Sequence, residues 1–341
     1  MALHRDAYTK VKHIIYGFAL LVTLLPTPQV WAEEGLKDED FIMHHVKDAH
    51  EWNFATIGHT HITLPLPIII YATDRGLEIF SSSRFTDEKH QRVPYKGYIR
   101  NENEKIVALD QGRIFYDLSI TKNVAAMLVS VVILLATFLA AARRYTHLPQ
   151  AAPRGFWALL EILICFVRDE IAVPNIGKKE YKRFMPYLLS VFFFIWLNNL
   201  LGLLPGAANV TGNISITLVL ALFTFVITNL NGNKHYWGHV FNTPGVPRWL
   251  SPIMVPVELL GLFTKPFALM IRLFANITAG HIILLSIIGL IFTLKTTWVG
   301  IISVPFGAFM FFLKLLVAFL QAYIFALLSA IYLGAAVESN E

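Results

Sequence analysis

From Phe184 to Asn233 the chain runs for 50 residues without a charged side chain. A helix crosses ~30 Å of hydrocarbon with ~20 apolar residues, so this run is too long for one crossing and has the length for two. The stretch "PGAANVTGN" at 205–213 divides it, with proline, glycine and asparagine where a chain reverses. Two membrane-spanning helices joined by a tight, uncharged external turn are therefore expected. Composition agrees: only 15% of the chain is charged and 55% is hydrophobic, whereas soluble domains carry about 25% charged residues.

Further spans flank this hairpin. Asn123 to Ala142 is a run of 20 uncharged residues closed by Arg143 and Arg144. From there to Arg183 come eight Lys/Arg against four acids, which places this loop in the cytoplasm by the positive-inside rule. Within it "GFWALLEILICFVRDEI" reads as an amphipathic helix lying at the interface. The loop around Lys234 and Arg248 returns to the cytoplasm. Two further apolar segments, 250–293 and 300–333, exceed one perpendicular span, so they must tilt strongly or kink. The expected fold class is an all-α polytopic membrane protein. It has about five crossing helices plus the interfacial one, and a cytoplasmic C-terminus. No internal repeat of the transporter kind is visible.

The N-terminal third differs. Arg5, Lys10 and Lys12 precede the apolar run 14–25, followed by "PTPQVWA". This pattern predicts a signal peptide over 1–32 cleaved after Ala32, the alternative being an uncleaved anchor. Fifteen of the 23 acids lie between Glu33 and Asp117. Short alternating stretches there, such as "HITLPLPIIIY" and "RIFYDL", suggest a small β-rich or irregular exported module over 33–118. The membrane domain then occupies 119–341. The module's histidines, His44, His45, His50, His59 and His61, match no metal-ligand template, and solvated side chains are expected. The single cysteine, Cys165, cannot form an internal disulfide.

Against this apolar background the deep ionisable residues stand out: Glu258, Lys265, Arg272, His281 and Lys314. Taking Arg272 as origin at about 100° per residue, Lys265 lies about 20° away, and Glu258 and Asn276 about 40°. These four form one polar stripe along a helix, while His281 lies about 180° away. Lys314 and Gln321, seven apart, share a face of the last segment. A central arginine costs about 2.5–3.5 kcal/mol on insertion scales, so such residues are rarely incidental. Snorkelling to the interface is the alternative for Arg272, and more so for Glu258 and Lys265. Interhelical hydrogen bonding is the alternative for Asn276 and Gln321. Arginine keeps its proton, so it can attract a carboxylate but cannot carry protons. Glu258 is the only acid from residue 181 through 337. The anion that Arg272 answers is therefore expected on another chain.

"KPFALMIRLFANITAGHIILL" and "LLVAFLQAYIFALLSAIYL" resemble the two signature helices of the a subunit of F-type ATP synthase, in its membrane F0 sector. "LNNLLGLLPGAANVTGNISITLVLALFTFVITN" resembles the preceding hairpin. The likeness spans roughly 119–335. The N-terminal module and "NGNKHYWGHVFNTPGVP" resemble Bacteroidetes-type versions more weakly. The resemblance implies an ion-conducting stator subunit in a bacterial inner membrane, with the N-terminal module periplasmic. Two offset half-channels would carry protons to and from a carboxylate of the c-subunit ring. Arg272 would be the essential gate, with Asn276 and Gln321 beside it. Glu258 would lie on the cytoplasmic exit and His281 on the external access path. Lys265, Lys314, Asn199 and Asn213 are further candidates. Lys314 departs from the family, which often has an acid or histidine there; two cations at 281 and 314 would repel one another if both were charged. Implied partners are the c-ring, the b subunits of the peripheral stalk, lipid and, indirectly, the F1 sector. No cofactor, metal or nucleic acid is expected. No catalytic residue is expected in the chain itself, nor nucleotide binding, since no GxxxxGK[ST] loop occurs. The alternative is a stand-alone transporter or channel in which Arg272 binds an anionic substrate. A membrane-embedded hydrolase lacks a metal-ligand or nucleophile motif, and a scaffold would carry its buried charges without use.

Overall fold

The computed structural model describes residues 48–57, 60–86, 93–101, 104–110, 112–147, 154–203, 208–241, 250–294 and 297–338. The signal segment, His44, His45 and His59 lie outside the described residues.

The N-terminal module is β-structured, in three small antiparallel sheets. Strands β1 (Glu51–Ile57) and β2 (Thr60–Pro65) form a hairpin. Strands β3 (Pro67–Ala72), β4 (Gly76–Ser81) and β7 (Phe115–Asp117) form a sheet in the order β4-β3-β7. Strands β5 (Tyr98–Arg100) and β6 (Ile106–Ala108) form a third pair. Alternation along β3 turns Ile68 and Ile70 inward against Phe85, Tyr98 and Ile106. Arg100 lies 2.8 Å from Glu51 and 3.4 Å from Glu104, which pairs a cation that is only 9% exposed.

The rest of the described chain is helical. Helix α1 spans Lys122–His147. The stretch read as one interfacial helix is α2 (Phe156–Phe166), a π-helical turn (Val167–Ala172) and a short α3 (Val173–Ile176). The π turn has Val167, Ile171 and Ala172 fully buried, so this segment is packed into the helical body as well as being amphipathic. Helix α4 (Tyr181–Leu201) and α5 (Ile214–Leu230) form the expected hairpin. Where a loop was expected, α6 (Lys234–Phe241) follows α5 at a bend of 103°. Helices α7 (Ser251–Leu294, 44 residues) and α8 (Thr297–Val337, 41 residues) are each about twice the length of a perpendicular span.

Among the described residues four helices are individually long and apolar enough to cross a membrane, α1, α4 and parts of α7 and α8; counting the bent α5–α6 pair as one span makes five. Helices α4 and α8 form the centre. Ala318, Ala322, Ala326 and Ala330 recur every fourth residue of α8, each at most 2% exposed. Lys314 begins this row and Gly334 ends it. Such a small-residue row lets helix backbones approach closely where lipid offers no hydrophobic drive. Leu188, Phe192 and Ile195 of α4 are wholly buried in the same core. At the far end Gly334 sits against the Asn175 carbonyl, where any Cβ would collide.

Candidate functional site

Helix α7 buries Leu262, Leu269, Met270 and Leu273, and leaves Arg272 and Asn276 exposed. The arginine is therefore on an outer edge of the helix, with no ion pair or hydrogen bond among the described residues. One turn on, Asn276 Nδ2 donates to Gln321 Oε1 at 3.1 Å, bridging α7 to α8. Gln321 is 3% exposed, so the pair has a fixed inner half and an accessible outer half. The polar stripe also reaches α8 at a second point: Lys265 Nζ lies 5.5 Å from the centre of the Tyr332 ring, a cation–π distance. Glu258, half-buried, is two further turns toward the start of α7.

Lys314 behaves differently. It is 8% exposed, and its amine has no hydrogen-bond partner among the described residues. Its stem crosses to α7, where a Cβ on Gly280 would lie 3.3 Å from Lys314 Cε. Glycine thus makes room for the lysine immediately before His281. The backbone of His281 is helical, and its side chain lies outside the described residues.

Asn199 ties three elements together. Its Nδ2 donates to the Ala318 carbonyl at 3.3 Å, and its Oδ1 accepts from Thr211 Oγ1 at 2.7 Å. Both side chains are at least 97% buried, so a polar file leads from the α4–α5 turn to α8. Asn213 instead caps α5, its Oδ1 accepting the Ser215 N–H at 3.0 Å. Two groupings escaped the sequence reading: Thr211 in this file, and Tyr187, 2.6 Å from Thr224, which lies 3.4 Å from Ser329. Neutral hydroxyls inside apolar helices leave no charge signal; only their lack of lipid-compatible polarity hints at partners.

Two acids of the α2 segment have partners. Arg168 holds Asp169 through two hydrogen bonds of 2.7 and 2.9 Å, which keeps that carboxyl below the usual carboxylate range. Glu161 accepts from the Tyr145 hydroxyl at 3.0 Å. The central region thus carries Lys265, Arg272 and Lys314 against Glu258 alone, a net positive field in which a carboxylate from outside would be attracted.

The N-terminal module is seated on this body. The Lys122 N–H donates to the Ala49 carbonyl at 2.9 Å, and the Asn123 N–H to Asp48 Oδ1 at 3.2 Å. Trp52 packs against a cluster of Ala126 of α1 and Ala208 and Val210 of the α4–α5 turn, which Met127 of α1 and Ile216 of α5 also cover. His50 corrects the expectation of solvated histidines: it is 4% exposed, with Nε2 4.0 Å from the Asp117 carboxylate of β7, inside the module. The side chain of His61 lies outside the described residues. No group of three or more metal-ligating side chains occurs among the described residues.

Comparison with known proteins places these helices in context. A family model described as "ATP synthase A chain" matches residues 124–334, and one described as a domain of unknown function matches 41–125. "ATP synthase subunit a" of Myxococcus xanthus is 51% identical over 241 residues, covering 69% of this chain and 77% of the relative. The protein of that name from Chloroherpeton thalassium is 46% identical, covering 66% and 69%, respectively. For Anaeromyxobacter sp. strain Fw109-5 the figures are 49%, 66% and 56%, so the chain spans just over half of that relative's length.

Proposed function

Because the chain belongs to the ATP synthase A chain family, we propose that it is the ion-conducting stator subunit of a bacterial inner-membrane F0 sector. The ion is a proton, α7 and α8 face the c-ring, and the b subunits hold the helical body to the peripheral stalk. The module is periplasmic and the C-terminus cytoplasmic. The observation that carries this reading is the exposed Arg272 on the outer edge of α7, without an ion pair or hydrogen bond among the described residues, beside a hydrogen bond that fixes α7 to α8.

Each proton enters from outside along the polar groups near Asn199, Lys314 and His281 and is taken up by a c-ring carboxylate. The neutral carboxylic acid then travels through lipid. On its return it faces Arg272, releases its proton past Glu258 to the cytoplasm, and becomes a carboxylate again. Asn276 and Gln321 hold the arginine's helix in register, and Lys265 adds to the local positive potential. The fixed guanidinium makes the ionised carboxylate the favoured form at that point, and it repels a proton seeking the direct route. Each charge moved releases about 2.3 kcal/mol per 100 mV, and that work is collected only if every charge rides the rotor.

The test uses the assembled complex in vesicles, comparing Arg272→Ala with wild type. ATP-driven pumping is expected to be lost with assembly intact, and passive proton leak to rise once the catalytic sector is stripped off. Unchanged pumping would remove Arg272 as the gate and, with it, this reading.

A further inference from the structure

The sheet β4-β3-β7 has two dissimilar faces. Ile68, Ile70 and Ala72 are wholly buried on the inner one. On the other, Tyr71 pairs across the sheet with Leu77 on one side and Tyr116 on the other, and Ile69 pairs with Ile79. The Leu118 N–H bonds to the Ile69 carbonyl at 2.9 Å, which continues the same face along the chain after β7. Tyr71, Leu77, Ile79, Ile114, Tyr116 and Leu118 are 47–64% exposed. A strand-by-strand apolar face open to its surroundings, with charges confined to the turns, is uncommon on a soluble module and marks a contact surface.

We propose that this face rests on the membrane, in the headgroup layer of the leaflet at the Lys122 end of α1. Chain geometry keeps it within reach of that layer. Leu118 precedes the start of α1 by four residues, at most about 14 Å of extended chain. The polar layer on each side of the hydrocarbon is about 5–8 Å thick. The Asp48–Asn123 and Ala49–Lys122 hydrogen bonds hold the module down against the helix end. The helix that follows is itself apolar and open on its outer side, where Leu128, Val129 and Val132 are 47–64% exposed. Its two tyrosines are of the amphipathic type that gathers at membrane interfaces, ring toward the acyl chains and hydroxyl toward the headgroups. A module anchored both by Trp52 on the α4–α5 turn and by this face on lipid is fixed in height and rotation over the outer ends of α1, α4 and α5. The inference rests on α1 lying in the membrane, and is independent of the role given to Arg272.

The test measures collision of nitroxide labels with oxygen, which concentrates in lipid, and with a water-soluble nickel chelate. Single labels are placed at Leu77→Cys and Tyr116→Cys in a Cys165→Ser background, in the whole complex reconstituted in vesicles and otherwise stripped of reactive cysteines. Leu128→Cys supplies the lipid reference and Lys105→Cys the aqueous one. The oxygen-to-chelate ratio at both sheet sites is expected several-fold above that at Lys105→Cys and below that at Leu128→Cys. A ratio equal to the aqueous reference would mean that the face stands in solvent. Shielding from both reagents would mean that a protein covers it. Either result overturns the proposal.

Discussion

At the scale of single residues, what separates Arg272 from Lys314 is access. Arg272 is exposed at the edge of α7, where its charge can meet a partner's carboxylate. Lys314 points its amine into protein, 8% exposed and unpartnered among the described residues. An unsatisfied buried polar group costs about 1–3 kcal/mol, and a charged one more. Lys314→Met is therefore expected to raise the thermal stability of the subunit by about 1–3 kcal/mol, measured by thermal unfolding in detergent. The same variant should slow ATP-driven pumping without raising passive leak, which Arg272→Ala is expected to raise. A fall in stability would mean that the amine has a partner. The Asn276–Gln321 bond is a smaller matter energetically: interhelical hydrogen bonds in membranes average about 0.6 kcal/mol, so its importance lies in holding two helices in register. The stripe of Glu258, Lys265, Arg272 and Asn276 was legible in the sequence because 3.6-residue periodicity is a local property. Which member would find a partner was not, since Gln321 lies 45 residues away.

At the scale of elements, the close approach of α8 is set by its row of alanines and completed by Gly334. The Asn175 carbonyl occupies the space that a side chain at 334 would need. Gly334→Val should force α8 away from α3 at a cost of about 1–3 kcal/mol, read as a lower melting temperature and weaker assembly of the complex. A variant that melts and assembles like wild type would show that the crossing tolerates displacement. Spans were readable from uncharged runs, and the broken 50-residue stretch did become the α4–α5 hairpin. The π turn at Val167–Ala172 and the short α6 were not foreseen. Both occur where composition suits an interface or a loop, and packing against neighbours selected the helical form.

At the scale of the whole molecule, the module and the helical body meet through Trp52 and a two-bond tab, from the Lys122 N–H to the Ala49 carbonyl and from the Asn123 N–H to the Asp48 carboxylate. Full burial of a large apolar side chain is worth about 1.5–3 kcal/mol, and the half-buried Trp52 contributes part of that to holding the module in place. Trp52→Ala is expected to loosen the joint, so that amide exchange quickens at 48–52 and 208–216 while α4 and α8 keep their protection. Unaltered exchange at 208–216 would mean that the tab alone seats the module.

By itself the sequence determined the helical, polytopic fold class, the apolar stretches that become the long helices and the family, because hydrophobicity, charge and motif spacing are properties of short stretches. Only the tertiary structure decided that Asn276 rather than Arg272 pairs with Gln321, that Lys314 is folded against Gly280, and that Trp52 belongs to a joint. Those outcomes depend on which helix faces meet, and that is settled by the packing of side chains far apart in the chain.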